Sequence, residues 1–371
     1  MPAAAAAPPV AGATAWLASL AGAPLPSRRQ EDWRFTDLAA LTAIAPQLLA
    51  VADPLAGVQQ PARVERLRLA AAQPWMGQAL AATGSSDHWP VRLNAAACAE
   101  QDIALLALRV SGDAGSLELP LEAGHAGGLA AFRLLLVLEA GARAELLLRP
   151  SSRGSNALSL VSVVILEPGA ELILGSLALG APASCRLQHT AVLQAAGSRL
   201  EHTSVSGGWA LARQEPRILQ QQGAACTRLR ALQVCRDRQL ADTHSWVRFD
   251  GPEGELDQLH KAVADDQGRS VFNGAVRVPR AAQRTNAAQL SRSLLLSDRA
   301  RIDTKPELEI VADDVKCAHG ATVSRLQSEE LFYLQGTQAG AGRPLLLQDA
   351  RLLASQGPAS AHRRVLQPAA G

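Results

Sequence analysis

The sequence predicts a mainly β chain built as a stack of similar coils, with helical regions on both sides of the stack. From about residue 103, short apolar runs alternate with turns that contain glycine. The turn recurs, and its glycines fall at positions 141, 169, 197 and 223, at steps of 28, 28 and 26 residues. A repeat of this length, with two strands and two turns, is typical of a β-solenoid. A β-sandwich also has many short strands, but nothing in it requires a turn at near-constant spacing.

The composition is consistent with such a stack. Of the 371 residues, 48% are hydrophobic but only 3% are aromatic. A core made of Leu, Val, Ile and Ala suits thin, regular layers. The chain has neither a Lys/Arg block nor the interleaved aromatics of a nucleic-acid surface. No uncharged apolar run reaches membrane-spanning length. We therefore expect neither nucleic acid nor a membrane as a partner.

The cysteines and the N-terminus indicate the compartment. The cysteines are odd in number and scattered, without a Cys-x-x-Cys pair, at positions 98, 185, 226, 235 and 317. In a chain of this length, this pattern favours free thiols in a reducing compartment. The first ten residues lack a basic segment and are broken by prolines, so we interpret them as a loose tail and not a signal peptide. We expect a cytoplasmic protein.

Composition and hydrophobic pattern divide the chain into five stretches. They are a loose tail over 1–10, a mainly helical domain over 11–100, the coils over 101–325, a helical region over 326–357 and a loose tail over 358–371. Within the first domain, a short helix is predicted over 12–22, closed by Gly22. A second helix is expected around residues 28–38, anchored to the main body by Trp33 and Phe35.

The stretch from Ile302 to Val323 carries the candidate chemistry. It predicts a strand, a turn at Asp313-Asp314 and a second strand. Cys317 and His319 then share one face, because alternate residues of a strand point the same way. A thiol beside an imidazole is half of a site for a soft or borderline metal. Two ligands are too few to hold a metal alone.

Several long motifs in the chain resemble the signature of the SufB/SufD family, the scaffold subunits of the Suf iron–sulfur cluster assembly system. The motifs are Arg29-Gln-Glu-Asp-Trp-Arg-Phe-Thr-Asp-Leu, Asp242-Thr-His, Leu259-His-Lys, Val271-Phe-Asn-Gly, Gln283-Arg-Thr-Asn-Ala-Ala-Gln, Ile302-Asp-Thr-Lys-Pro-Glu-Leu-Glu-Ile, Asp313-Asp-Val-Lys-Cys-Ala-His-Gly-Ala-Thr-Val and Leu331-Phe-Tyr-Leu. The resemblance spans about residues 28–355. The length of the chain fits the SufD branch better than the generally longer SufB branch, which stays as the alternative.

The resemblance implies a right-handed parallel β-helix between N-terminal and C-terminal helical domains. It also implies two partners. SufD subunits pair with SufB through the ends of their β-helices, here around residues 302–323. They bind the ATPase SufC through the C-terminal helices, here around residues 328–355. SufD subunits of this family have no established catalytic activity, so the resemblance implies a non-catalytic subunit.

The resemblance also implies a role for the Cys-x-His pair. In the family, the histidine of the Cys-x-His-Gly motif faces the SufB interface and matters for assembly, and that position is His319, with Cys317 beside it. We expect transient iron or a nascent iron–sulfur cluster, shared with SufB and associated with iron entry at the SufB–SufD interface, and no tightly bound cofactor on the isolated chain. One departure, over residues 335–338, leaves the detail of SufC docking open.

Other interpretations of the same residues remain. A Cys-x-His pair taken alone is more often structural than functional, and a stable zinc site would need two further ligands nearby. Glu307 and Glu309 resemble a catalytic acid–base pair, although an exposed strand face explains them better. A carbohydrate-active β-helix enzyme would need aromatic stacking platforms that this composition lacks. His244 and His260 receive no role, and the other four cysteines are interpreted as packing residues.

Overall fold

The structure is a computed structural model that describes residues 12–99 and 105–325. The helices are α1 (Ala13–Ala21), α2 (Leu69–Ala82) and α3 (Trp89–Ala99), with 3₁₀ turns at Glu31–Trp33 and Leu41–Ala43. The strands are β1 (Val64–Arg66), β2 (Leu105–Val110), β3 (Asp113–Glu122), β4 (Gly128–Leu138), β5 (Arg143–Ser151), β6 (Asn156–Leu166), β7 (Glu171–Leu179), β8 (Cys185–Gln194), β9 (Arg199–Gly207), β10 (Leu211–Gln220), β11 (Cys226–Cys235), β12 (Leu240–Phe249), β13 (Glu255–Ala264), β14 (Arg269–Val278), β15 (Asn286–Leu295), β16 (Arg301–Ile310) and β17 (Lys316–Arg325).

The strands form two long sheets that face each other. Sheet one contains β1 and then the even-numbered strands from β2 to β16 in order; sheet two contains the odd-numbered strands from β3 to β17. The strands from β2 onward pair in parallel, and each consecutive even–odd pair makes one coil, so the described residues contain eight coils. The predicted β-solenoid is confirmed. Its right-handed sense stays a prediction, and the expected helical region over 326–357 lies outside the described residues.

The recurring glycine turn has the conformation that its sequence predicts. Gly141, Gly169, Gly197 and Gly223 all have positive φ, between 68° and 95°. Side chains with a Cβ adopt this left-handed region reluctantly, whereas glycine enters it freely. The turns also stack, since the Gly141 amide donates to the Pro168 carbonyl at 3.0 Å and the Gly169 amide to Ala196 at 3.0 Å. In these four coils, one glycine per coil therefore sets the repeat that the sequence displays.

The interior changes character along the stack. In sheet two, the strand register places one inward-facing residue of each coil above the next, and this column reads Leu146, Leu174, His202, Leu229, Gln258, Gln289 and His319. The first coils are filled with leucine. The later ones are filled with amides and hydroxyls that bond to each other, such as Gln289 to Gln258 at 2.9 Å and Gln258 to Ser245 at 2.8 Å.

The N-terminal helices lie along the outer face of sheet one. Helix α3 packs on β4, β6 and β8, α2 packs on β2, β6 and β8, and α1 packs on α3. The buried Asn94 of α3 fixes this contact by donating to the Phe132 carbonyl at 3.0 Å. Helix α1 confirms the short helix predicted over 12–22, and Gly22 ends it in the left-handed conformation.

The expected helix around residues 28–38, which we call the N-terminal segment, is wrong. The segment contains only the 3₁₀ turn Glu31–Trp33, although Trp33 anchors it as expected and is 7% exposed. Arg213 on the outer face of β10 explains the difference. Its guanidinium donates to the Asp32 carbonyl at 2.9 Å and lies 3.9 Å from the centre of the Trp33 ring. A tertiary bond thus takes the carbonyl that a helix would use internally.

Arg213 also sits in a buried network of charges. It donates to Glu215 Oε1 at 2.6 Å and to Asp242 Oδ2 at 2.6 Å, and all three residues are almost fully buried. The Thr36 hydroxyl of the N-terminal segment donates to the same Asp242 oxygen. Burial alone would raise the pKa of Asp242, but His244, Arg213 and these hydrogen bonds lower it to about 2. The two carboxylates therefore stay charged in the folded protein.

We predict that Arg213→Met destabilises the protein by about 3–5 kcal/mol, because it leaves two buried carboxylates without their counter-charge. Thr36→Val, which removes one hydroxyl from the same network, is expected to cost about 1 kcal/mol. Urea unfolding monitored by tryptophan fluorescence measures both free energies. Equal losses for the two variants would contradict a central role for Arg213.

We also predict that acid destabilises the coils through their inner histidines. His260, stacked on Phe272 at 4.5 Å, and His202 are buried, and burial lowers their pKa values to about 3 and about 4. Between pH 6.5 and these values, the unfolded chain binds protons that the folded chain does not. The free energy of unfolding therefore falls as pH falls, by up to about 1.4 kcal/mol per pH unit for each histidine. His260→Gln should flatten this dependence between pH 6.5 and 4; an unchanged slope in urea titrations would contradict it.

Candidate functional site

The stretch that carried the candidate chemistry forms the last described coil of the solenoid. Strand β16 presents Leu308 to the core, while Glu307 and Glu309 alternate on its outer face. The chain turns at Asp313-Asp314 as predicted and returns as β17. Backbone pairing with β15 places Cys317 beside Ala287 and His319 beside Gln289, and both of these neighbours are buried. Cys317 and His319 therefore occupy inward-facing columns at the place where the described coils end.

The two candidate ligands differ in their surroundings. His319 is exposed, because no further described coil covers its column. Cys317 is half-buried and packs against the apolar core. This burial raises the pKa of the Cys317 thiol, although a hydrogen bond from the Ala287 backbone opposes the shift. The exposed imidazole is thus the more accessible of the two ligands, whereas the thiol needs a cation beside it before it ionises.

An apolar rim surrounds this end of the solenoid. Ile310, Val311 and Val323 are 41%, 52% and 45% exposed, respectively. Ile310 lies in register with the fully buried Val278, and Val323 with the buried Ser293. Side chains that are inside the stack in every earlier coil are thus uncovered here. Along β16 and β17, one backbone edge also has no strand beside it among the described residues.

The outer face of β16 carries a network of ion pairs. Lys305 contacts Glu307 at 2.6 Å and Glu31 of the N-terminal segment at 2.8 Å, while Arg277 pairs with Glu309. These pairs are consistent with the exposed-face interpretation of Glu307 and Glu309. The contact with Glu31 also joins the N-terminal segment to the last described coil. The N-terminal and C-terminal signature motifs, distant in sequence, therefore touch.

The described part of the chain offers Cys317 and His319 no third ligand. The grouping of three His, Cys, Asp or Glu side chains close enough to hold an ion lies elsewhere, at His88, His189 and Glu215. Cys185 and Cys235 are buried, and burial raises their pKa values to about 12, which suits packing residues. The Cys317/His319 pair is thus two ligands at an exposed end.

The sequence did not predict that His88, His189 and Glu215 form a group. His88 lies just before α3, in a stretch from which no chemistry was inferred, while His189 and Glu215 lie on the outer face of sheet one in consecutive coils. One signal was available. His189 and Glu215 are one coil repeat apart, so the period places them side by side in register. The approach of His88 follows only from the packing of the helices.

His244 and His260, to which the sequence assigns no role, lie on different sheets, and one faces outward while the other faces inward. His260 points into the solenoid, where neither ring nitrogen has a partner among the described protein atoms. His244 lies on the outer face of sheet one, with Nε2 3.1 Å from Asp242 Oδ1. In the described residues, no helix has the length and apolar character needed to cross a membrane.

Comparison with known proteins identifies relatives in iron–sulfur cluster assembly. The chain is 47% identical over 152 residues to an iron–sulfur cluster assembly SufBD family protein of Synechocystis, covering 41% of this chain and 34% of the relative. It is 43% identical over 173 residues to the chloroplastic protein ABCI7 of Arabidopsis thaliana (46% and 36%), and 42% identical over 108 residues to the iron–sulfur cluster assembly protein SufD of Escherichia coli (29% and 26%). The matched stretches span about a third or less of these relatives.

A family profile extends the match over most of the coils. The profile described as "SUF system FeS cluster assembly, SufBD core domain" matches residues 122–337, which is more than half of the chain. The match begins at the end of β3 and includes every strand from β4 to β17. It also includes both candidate ligands at the exposed end of the solenoid. The chain therefore belongs to the SufBD core family of iron–sulfur cluster assembly proteins.

Proposed function

We propose that this chain is a SufD-type scaffold subunit that builds iron–sulfur clusters together with a SufB-type subunit and the ATPase SufC. Membership of the SufBD core family supports a role in iron–sulfur cluster assembly. The name of the Escherichia coli relative supports the assignment to the SufD branch. The observation that carries the proposal is the last described coil, where the family's signature strands present His319 at an uncovered end. The subunit contributes ligands and surface and has no catalytic turnover of its own.

The uncovered end is the proposed contact with SufB. Three large aliphatic side chains are exposed there, and an unpaired strand edge invites pairing with a strand of another chain. A similar coil from a partner would bury these side chains in the way each coil buries the one before it. The contact around residues 302–323 would continue the stack across two chains. SufC would bind around residues 328–355, outside the described residues.

The same contact would complete the metal site. His319 supplies an exposed imidazole and Cys317 a thiol that ionises once a cation approaches. Among the described residues, no third ligand lies close to Cys317 and His319, so the further ligands would come from SufB. Such a divided site suits transient iron or a nascent cluster, because it loses affinity when the subunits move apart. The free cysteines agree with a reducing compartment, and we propose the cytoplasm.

We predict that Ile310→Asp weakens association with SufB at least tenfold, which is about 1.4 kcal/mol, because it places a charge in the proposed apolar contact. Leu179→Asp is the matched control. Leu179 is also 41% exposed but lies at the end of β7, five coils before β17. Analytical ultracentrifugation of co-expressed chains measures the affinity. Equal effects of the two substitutions would place the interface elsewhere.

We predict that His319→Ala leaves the complex intact but lowers the iron and acid-labile sulfide bound per complex at least tenfold. The substitution removes an exposed side chain, so its effect on stability should stay within about 0.5 kcal/mol. His125→Ala, at an exposed turn far from the last coil, is the control. Cluster assembly at the wild-type level in the His319 variant, or a complex that falls apart, would refute the assigned role.

A further inference from the structure

His88, His189 and Glu215 converge between the loop before α3 and the outer face of sheet one. Nδ1 of His88 and Nδ1 of His189 each lie 3.0 Å from the same oxygen, Glu215 Oε2. The three atoms lie within 4.8 Å of one another. Two imidazoles and a carboxylate meeting at one point are a ligand set for divalent transition metals, whereas calcium and magnesium prefer oxygen atoms alone.

The spacing also fits a metal. With metal–ligand bonds of about 2.1 Å, two ligand atoms 3.0 Å apart subtend an angle of about 90° at the ion, which is the angle between neighbouring ligands of an octahedron. Three protein ligands would leave the remaining positions to water or to an exchangeable ligand. The ligand types are those of the two-histidine, one-carboxylate set that suits iron(II) and related ions.

The surroundings prepare the three side chains for this role. Arg213 donates to the other oxygen of Glu215 at 2.6 Å, which fixes the carboxylate in the way that outer-shell partners fix metal ligands. His189 is fully buried with its Nδ1 3.0 Å from Glu215 Oε2, so packing fixes the imidazole against the carboxylate. Its second nitrogen, Nε2, is also buried and has no partner among the described atoms.

The ion pairing of the nearby arginines and the exposure of His88 also permit a cation at this group. Arg213 is paired with Asp242, while burial lowers the pKa of Arg217 although the charges of Glu215 and Asp32 oppose the shift. The side chain of His88 is 26% exposed, while those of His189 and Glu215 are 0% and 4% exposed. An ion would therefore reach the site from the surface by way of His88.

We propose that His88, His189 and Glu215 form a second metal site, which binds one divalent first-row transition ion such as iron(II) or zinc(II). It lies on the outer face of the fourth and fifth coils and is built by the N-terminal domain together with the solenoid. His319 lies in an inward column of the eighth coil, so the two sites share no ligand. The proposal does not rest on the function proposed above, because a single chain supplies all three ligands.

Cobalt(II) titration of the full chain, freed of metal with a chelator, tests this site. The wild-type protein should bind one equivalent with visible absorption bands, and zinc(II) should displace it. His88→Ala should weaken binding by about 100-fold or more, since loss of an outer-shell partner alone costs 10–100-fold. His125→Ala and His319→Ala should bind as the wild type does.

A thermal measurement separates loss of the site from loss of the fold. Zinc(II) should raise the melting temperature of the wild type, because it binds only the folded chain, and should leave that of His88→Ala unchanged. Without metal, His88→Ala should melt below the wild type, because it loses the hydrogen bond to Glu215, so the readout is the shift that zinc(II) produces in each protein. If His88→Ala fails to fold, His88→Gln keeps a hydrogen-bonding side chain in place and should show the same loss of cobalt. Undiminished binding by these variants, loss of binding in His319→Ala, or no stoichiometric binding by the wild type would overturn the proposal.

Discussion

Parallel pairing of each coil with the next is the constraint on which this structure depends. A coil two strands wide cannot bury its own inner side chains, so each layer is covered by the layers before and after it. In the middle of the stack this produces columns of fully buried residues. At the last described coil the residues of these columns are exposed, because no further described coil covers Ile310 and Val323. The exposed end is therefore a consequence of the architecture and not a local irregularity.

The same constraint explains why a metal site at this end would be incomplete. A strand presents alternate side chains to one face, so a short terminal strand can offer two adjacent ligands but not four. Cys317 and His319 are those two. A partner that completed the sheet would also approach the ligands, because the covered edge and the inward columns belong to the same coil. Assembly of the subunits and assembly of the site would then be one event, which would link the stability of the complex to the handling of iron.

The outer face of sheet one follows a different physical rule. Buried charges are tolerated there because each has a partner: Arg213 lies between Glu215 and Asp242, and the N-terminal segment covers them. Such a network is expensive to desolvate and contributes orientation more than stability. It orients the N-terminal segment against the coils, and Lys305 continues the contact to the last one. The network also holds Glu215 where two histidines reach it.

The sequence by itself determined the coils. Glycines at a fixed step specified the turns, because only glycine enters the left-handed conformation freely, and alternation specified the exposed strand with Cys317 and His319 on one face. These features depend on neighbours along the chain or on its period. The tertiary structure decided what depends on packing between distant segments. Arg213, 177 residues from Thr36, replaced the expected helix of residues 28–38 with a 3₁₀ turn. It also decided that His88 meets His189 and Glu215, because the docking of helices on a sheet leaves no periodic trace in the sequence.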